Sequence, residues 1–231
     1  MNIKEFELAL LRYNIELSDQ QLEQFEKYYE FLIQENQKYN LTAITHKDEV
    51  FSKHFYDSLL ILIDRDFSGT LVDVGSGAGF PSIPLKILRP DLEIIIIEPL
   101  LKRIKFLNEL TDLLGLHGVS CLHVRAEDYA YKHKDEYDFV VSRAVANLPI
   151  LSELCLPLVK KDGYFIALKG IKGLEELDLA EGAISKLAGK IERWTKHNYA
   201  DQTRINIYIK KINKTPRGYP RKFSLMKKKP L

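Results

Sequence analysis

The stretch Asp73-Val74-Gly75-Ser76-Gly77-Ala78-Gly79-Phe80 sets three glycines at alternate positions between an apolar run and Pro81. Glycine lets a backbone turn sharply and come close to a ligand, and the end of a buried strand that leads into a helix is where open α/β sheets hold nucleotides. A dinucleotide fingerprint would want glycine at 75, 77 and 80, but position 80 is Phe. Glycine at 75, 77 and 79 is instead the spacing typical of enzymes that use S-adenosylmethionine, with Asp73 ahead of it on the strand. By itself the loop could equally be a plain tight turn.

Three further groups follow at the ends of later apolar runs. Glu98 lies about 20 residues past the loop, where an acid usually accepts both ribose hydroxyls. A carboxylate there repels a 2′-phosphate and so argues against NADP, but it does not separate NAD from S-adenosylmethionine. In Arg125-Ala126-Glu127-Asp128, a backbone N–H at Glu127 and a nearby carboxylate could read the edge of an adenine; the same acids also suit a helix N-terminus. Ser142-Arg143-Ala144-Val145-Ala146-Asn147 comes next, at the place where a substrate would meet the cofactor. Arg143 is either a ligand contact or an internal ion-pair partner.

These groups need a parallel sheet to bring them together. Candidate strands are residues 71–74, 93–98, 119–124, 138–142, 164–168, 191–197 and 205–212, and helical stretches 81–88, 100–114, 129–134 and 148–159 separate the first five. Apolar strands joined by helical crossovers indicate a doubly wound sheet. The last two strands have only the short link 198–204 between them, which predicts an antiparallel hairpin at one end. The expected fold is α/β, a Rossmann-like class I methyltransferase architecture with a seven-stranded, mostly parallel sheet and an N-terminal helical extension. Residues 1–66 form that extension, 67–213 the cofactor-binding domain and 214–231 a basic, irregular tail. In the extension, Ser18 and Gln21 make a capping box before Leu22, Phe25, Tyr29, Leu32 and Asn36 at helical spacing. A second box, Thr45 with Asp48, would open a helix through Phe51, Phe55, Ser58 and Leu62.

Bulk composition is that of a globular protein, with 45% hydrophobic and 29% charged residues. Cys121 and Cys155 sit inside apolar runs and read as buried thiols; no Cys/His cluster has zinc spacing, so no metal is expected. No targeting segment is visible and the longest apolar run is too short to span a bilayer, which points to a cytoplasmic protein. The net charge of +2 hides an asymmetry: residues 1–60 carry 11 acids against 6 basic residues, whereas no acid follows Asp201. A one-signed tail of this kind suggests a polyanionic partner.

Taken together, Tyr39-Asn40-Leu41-Thr42-Ala43-Ile44, His54-Phe55-Tyr56-Asp57-Ser58-Leu59, the 73–81 loop, Lys102-Arg103, Arg125-Ala126-Glu127, Ser142 to Ala146, Lys169-Gly170, Thr215-Pro216 and Tyr219-Pro220-Arg221-Lys222 resemble the RsmG/GidB family of bacterial 16S ribosomal RNA (guanine-N7-)-methyltransferases. The likeness runs from residue 39 to the tail. It implies S-adenosylmethionine as cofactor and methylation of N7 on one guanosine of the 530 loop, in 16S rRNA or the small ribosomal subunit. The family's cofactor contacts carry over to Gly75, Phe80, Ala126, Glu127 and Arg143, and join Asp73, Gly77, Gly79 and Glu98 from the reading above. One departure is Glu98-Pro99, where relatives often show Asp-Ser; the longer carboxylate should still reach a ribose.

Guanine N7 carries an in-plane lone pair and no proton, so its methylation needs positioning rather than a general base. No residue is therefore singled out as catalytic, and none of the chain forms an obvious nucleophile–base pair. Phosphate contacts are expected from Lys102, Arg103, Lys169 and the tail, including Arg217, Arg221 and Lys222, and a monomer is expected. Two other readings compete: an NAD-dependent oxidoreductase sharing the loop and the ribose acid, and a non-catalytic ribosome-binding protein that keeps a cofactor pocket.

Overall fold

A computed structural model describes residues 1–199 and 201–231. Seven strands form one sheet in the order β3-β2-β1-β4-β5-β7-β6. They are β1 (Thr70–Val74), β2 (Glu93–Glu98), β3 (Val119–His123), β4 (Tyr137–Arg143), β5 (Val159–Lys169), β6 (Gly189–Tyr199) and β7 (Gln202–Lys211). The first five pair in parallel, and β7 runs antiparallel between β5 and β6. The expected hairpin thus lies at one end of the sheet, with its second strand on the inside; Ala200, in its link, lies outside the described residues. The chain reverses its direction of travel at β1, whose neighbours are β2 and β4. That is the switch point at which open α/β sheets bind ligands, beyond the carboxyl ends of the strands.

Two-residue periodicity divides the sheet residues between two cores. Leu71, Ile94 and Ile96 face one core, and Val72, Val74 and Ile97 face the other. The first core is covered by α5 (Ser82–Leu88), α6 (Leu101–Leu113) and the N-terminal helices. The second is covered by α7 (Ala126–Lys132), α8 (Leu148–Cys155), α9 (Gly173–Lys186) and α10 (Phe223–Lys228). Helix α9 was not expected; its glycines at 173 and 182 weaken the helical pattern, and Leu177, Ala180 and Ile184 nevertheless bury one face.

The N-terminal extension holds α1 (Ile3–Leu11), α2 (Asp19–Tyr39), a short α3 (Lys47–Val50), a π-helical turn (Phe51–Tyr56) and α4 (Asp57–Asp64). The Ser18–Gln21 box caps α2 as expected, and Asn40 ends it in the left-handed conformation. Its buried face is Phe25, Tyr28, Leu32 and Glu35, so Tyr28 rather than Tyr29 points into the core. The Thr45–Asp48 box does not form: His46 is the N-cap of α3 and no side chain caps it. The Thr45 carbonyl accepts from the Tyr29 hydroxyl instead. Phe6, Phe25, Phe51 and Phe55 pack edge-on or tilted, with ring centroids 5.0–5.5 Å apart, and they share one core with Leu71, Ile94 and Ile96 of the sheet. Among the described residues no helix is long and apolar enough to cross a membrane.

Candidate functional site

Past the end of β1 the chain enters the glycine loop, whose Gly75, Gly77 and Gly79 all have positive φ. At Gly75 the requirement is double. Its φ is +75°, and a Cβ there would lie 2.5 Å from Val145 Cγ2. The loop borders a cavity of about 400 Å³ lined by Gly75, Ile97, Pro99, Leu100, Ala126, Glu127 and Val145 among others. A largely apolar cavity with a few polar groups at a sheet switch point suits a nucleoside ligand.

Glu98 ends β2 just behind this cavity and is buried. Its carboxylate accepts from the Gly77 N–H at 3.2 Å, the Leu100 N–H at 3.1 Å and Arg103 Nη1 at 3.3 Å. The acid therefore braces the glycine loop and the start of α6 from behind the lining of the cavity. Asp73 shares the β1 face of Leu71, so it turns away from the cavity and under α5. There Oδ2 accepts from the Ser82 N–H at 3.2 Å, while Oδ1 is buried without a partner. Burial pushes the Asp73 carboxyl up to about 7, against the opposing hydrogen bonds from Ser82.

Phe80 also turns away from the first cavity. It stacks on Tyr28 at 5.4 Å and on His54 at 4.5 Å. The Tyr28 hydroxyl reaches 2.5 Å to the carbonyl of Ala78, so α2 grips the glycine loop directly. Burial raises the Tyr28 pKa well above its ordinary value, which keeps this donor protonated.

A second cavity, of about 470 Å³, opens on the other side of Val145. Lys53, His54, Asp57, Arg143, Asn147, Lys169, Glu176 and Arg204 contribute to its lining. Its hub is Asp57, which is 2% exposed. Arg143 Nη1 donates to Asp57 Oδ2 at 2.7 Å, Arg204 Nε donates to Oδ1 at 2.8 Å, and the Tyr199 hydroxyl donates to Oδ1 as well. One carboxylate thus ties α4 to β4, β6 and β7. Arg143 is accordingly placed in this second cavity, against Asp57 and over the Phe80 ring at 4.9 Å, and not in the lining of the first. His54 lies 3.2 Å from Arg143 Nη2. Desolvation and then the Arg143 charge push its pKa down to about 3, so its ring is neutral at ordinary pH. Ala144, between Arg143 and Val145, holds φ +58°, a conformation that costs a non-glycine residue about 1 kcal/mol and is concentrated at functional sites.

The family described as GidB: rRNA small subunit methyltransferase G matches residues 21–205. This chain belongs to that family. The ribosomal RNA small subunit methyltransferases G of Halalkalibacterium halodurans and Bacillus subtilis are 49% and 46% identical to it; each alignment covers 100% of this chain, and 100% and 99% of the relative. Solved structures of much lower identity share the fold. TYW2 of M. jannaschii in complex with AdoMet superposes with a TM-score of 0.57 at 17% identity, over 74% of this chain and 80% of that one. Ribosomal protein L11 methylase from Lactobacillus delbrueckii gives 0.52 at 18%, over 70% and 79%.

The GidB-family cofactor, S-adenosylmethionine, fits the first cavity on this chain's own features. Gly75 leaves the space that a side chain would fill, and Ser76 Oγ is a buried polar atom without a partner in the loop beside it. Gly75, Ala126 and Glu127 line the cavity together; Gly77 and Glu98 join behind it, while Asp73, Phe80 and Arg143 shape the loop from the side of the helical extension.

The cations expected to meet RNA divide into two sets. Lys169 is buried, donating to the Ala146 carbonyl at 2.6 Å and pairing with Glu176 at 2.7 Å. Arg221 forms a tight ion pair with buried Glu153, with Nη2 2.6 Å from Oε2. Arg103 is held by Glu98. These three are engaged in holding the fold. Lys102, Arg217 and Lys222 are exposed, although the Lys102 ammonium also donates to the Tyr39 carbonyl at 2.6 Å. Sequence reasoning gave no weight to Arg204 or Phe223, and no site role to Asp57. The available signal was an arginine, Arg204, heading the run Ile205-Asn206-Ile207-Tyr208-Ile209.

Proposed function

We propose that this protein methylates N7 of a guanosine in the 530 loop of 16S ribosomal RNA, with S-adenosylmethionine in the first cavity and the target nucleotide in the second. One observation carries the assignment of the two cavities: they meet at Val145, beside Gly75, so that a single side chain stands between them. The first is apolar and nucleoside-sized. The second collects four cations, Lys53, Arg143, Lys169 and Arg204, against the lining carboxylates Asp57 and Glu176 and against Glu49, which pairs with Lys53. That excess of positive charge favours a phosphate-bearing nucleotide, and a base swung out of an RNA loop is accessible in the way a stacked one is not.

When bound, S-adenosylmethionine supplies an electrophilic sulfonium methyl group. The chain's part is positional. Glu98 and Gly77 fix the loop, Val145 stands where the two ligands converge, and the Asp57 hub fixes Arg143 and Arg204 in the substrate wall. Guanine N7 has no proton to lose, and the second cavity is built accordingly: His54 is neutral but held by Thr42 and Arg143, and Asp57 is saturated by two arginines and a tyrosine. Neither is free to act as a base, which suits a reaction that requires none. Exposed Lys102, Arg217 and Lys222 would meet flanking phosphates. We also propose that the protein acts as a monomer in the cytoplasm, where its ribosomal substrate is.

The reading favours methyl transfer over the oxidoreductase and over a non-catalytic ribosome-binding protein. Small subunits from a strain lacking this gene, given the purified protein and labelled cofactor, should acquire one methyl group at N7 of one guanosine of that loop. Label at another position, or none, would overturn the assignment.

A further inference from the structure

The tail that looks like an irregular arm in the sequence is strapped to the domain. The buried Lys211 ammonium, at the end of β7, donates to the Leu156 carbonyl at 2.6 Å and to Thr215 Oγ1 at 2.7 Å. The Thr215 N–H and hydroxyl in turn donate to Asp135. Further on, the Arg221 backbone N–H, Nε and Nη2 all donate to Glu153 of α8, at 2.9, 2.8 and 2.6 Å. Met226 is fully buried in the second core, and Tyr219, Phe223 and Leu231 pack against that core. This strap carries α10 to the mouth of the first cavity, where Phe223 joins Gly75, Ile97, Pro99, Ala126 and Val145 in the lining.

We propose that Phe223 is a cofactor-binding residue: its ring is the aromatic wall against which the adenine of S-adenosylmethionine packs. The inference rests on the assignment of this cavity to the cofactor. Three observations favour the adenosine end. The buried polar atom of the glycine loop that has no partner, Ser76 Oγ, marks the loop end of the site, which suits the charged methionine end. Phe223 instead shares its part of the lining with Ala126 and Glu127 at the start of α7. The same ring also borders a wider cleft lined by Arg125, Lys222, Lys227 and Lys228 against the carboxylates of Glu127 and Asp128, so it divides an apolar chamber from one with an excess of positive charge. A flat apolar face at that boundary shields an adenine from water while leaving the basic cleft open to phosphate. Aromatic–base stacking is worth about 1–3 kcal/mol, or roughly five- to 150-fold in affinity.

The protein has one tryptophan, Trp194, far along the sheet on β6. The variant W194F/F223W therefore places the sole indole at the cavity wall. Titrating it with S-adenosylhomocysteine should change its emission saturably, with a midpoint that agrees with calorimetry. In the otherwise native chain, F223A should weaken S-adenosylhomocysteine binding about tenfold or more, and F223L, which keeps an apolar side chain against the second core, should also lose affinity while holding the ligand-free unfolding midpoint close to that of the native protein. Emission unmoved at saturating ligand, or native affinity in F223A, would overturn the role of Phe223 and leave the cavity assignment standing. Absence of S-adenosylhomocysteine binding by the native chain would overturn the cavity assignment itself.

Discussion

Replacing Gly75 by alanine tests the geometry of the wall between the two cavities, because two separate penalties should appear and only one should be reversible. The first is conformational: φ is +75° at this position, and a non-glycine residue there costs about 1–2 kcal/mol. The second is steric: the new Cβ would stand 2.5 Å from Val145 Cγ2, so Val145 must move. Val145 is 41% exposed and has room to do so. Turning it off its rotamer costs about 0.5–1.5 kcal/mol. Gly75→Ala alone should therefore lose about 1.5–3.5 kcal/mol, the sum of those two terms. In a Val145→Ala background the same change should lose only the conformational part. A double-mutant cycle measured by urea denaturation should show a coupling of about 0.5–1.5 kcal/mol. Calorimetry with S-adenosylhomocysteine should show the affinity lost in Gly75→Ala partly restored in the double variant. A cycle that closes to within a few tenths of a kcal/mol would refute the contact and, with it, the claim that Val145 separates the two ligands.

Asp57→Ala leaves Arg143 and Arg204 facing each other without their carboxylate, and urea denaturation should show a loss of about 3–5 kcal/mol; a loss below about 1 kcal/mol would remove Asp57 from its place as the hub. His54 carries a folded-state pKa of about 3 against an ordinary 6.5. Below pH 6.5 the unfolded chain takes up a proton that the folded chain refuses, so the His54 contribution is complete above about 6.5 and is lost as pH falls toward about 3. The slope should be up to about 1.4 kcal/mol per pH unit, and His54→Gln should flatten the stability–pH curve over that window; an unchanged curve contradicts it. Substituting glutamine at Lys222, Lys227 and Lys228, all exposed, should leave the unfolding midpoint alone. The same change should reduce the log–log salt slope of RNA binding by about 2–3 if each lysine meets one phosphate; an unchanged slope takes this face out of the interface.

The sheet was legible because its strands are unusually apolar. Ile94 to Ile97 is readable as a strand covered on both faces without any partner being known, and β2 does lie between β1 and β3. The cofactor loop was legible because its glycines answer a local demand of backbone conformation. The destinations of charged side chains were harder to read. Arg143, Lys169 and Arg221 look like ligand-facing cations until their partners Asp57, Glu176 and Glu153 are placed. Two of these partners lie 68 or more residues away in the chain, and Lys169–Glu176 depends on the fold of α9. A long-range ion pair carries no periodicity and leaves no mark in a sequence window. Helix α9 was missed for a local reason, since two glycines obscure its pattern, and α10 because six residues hold too few turns to show one.

Both terminal segments work beyond the carboxyl ends of the same central strands, and this gives the fold a functional logic. The N-terminal extension contributes Tyr28, which holds the Ala78 carbonyl, and Asp57, which sets Arg143 and Arg204 in the second cavity. The C-terminal strap contributes Phe223 to the first. A doubly wound sheet alone would offer the glycine loop, Glu98 and the start of α7: a cofactor site with one side open and no substrate wall. The π-helical turn that carries Lys53 and His54 to the second cavity while it buries Phe51 and Phe55 is consistent with this division, since such irregular turns are frequent at functional sites. On the proposed assignment the sheet and the C-terminal strap hold the methyl donor, and the N-terminal extension supplies the wall that the acceptor meets. Swapping residues 1–66 for the corresponding segment of a family member should preserve binding of S-adenosylhomocysteine and methylation together. Swapping in a helical extension from a class I methyltransferase of another family should keep the first at best and abolish the second, because Asp57 and its two arginines would be parted.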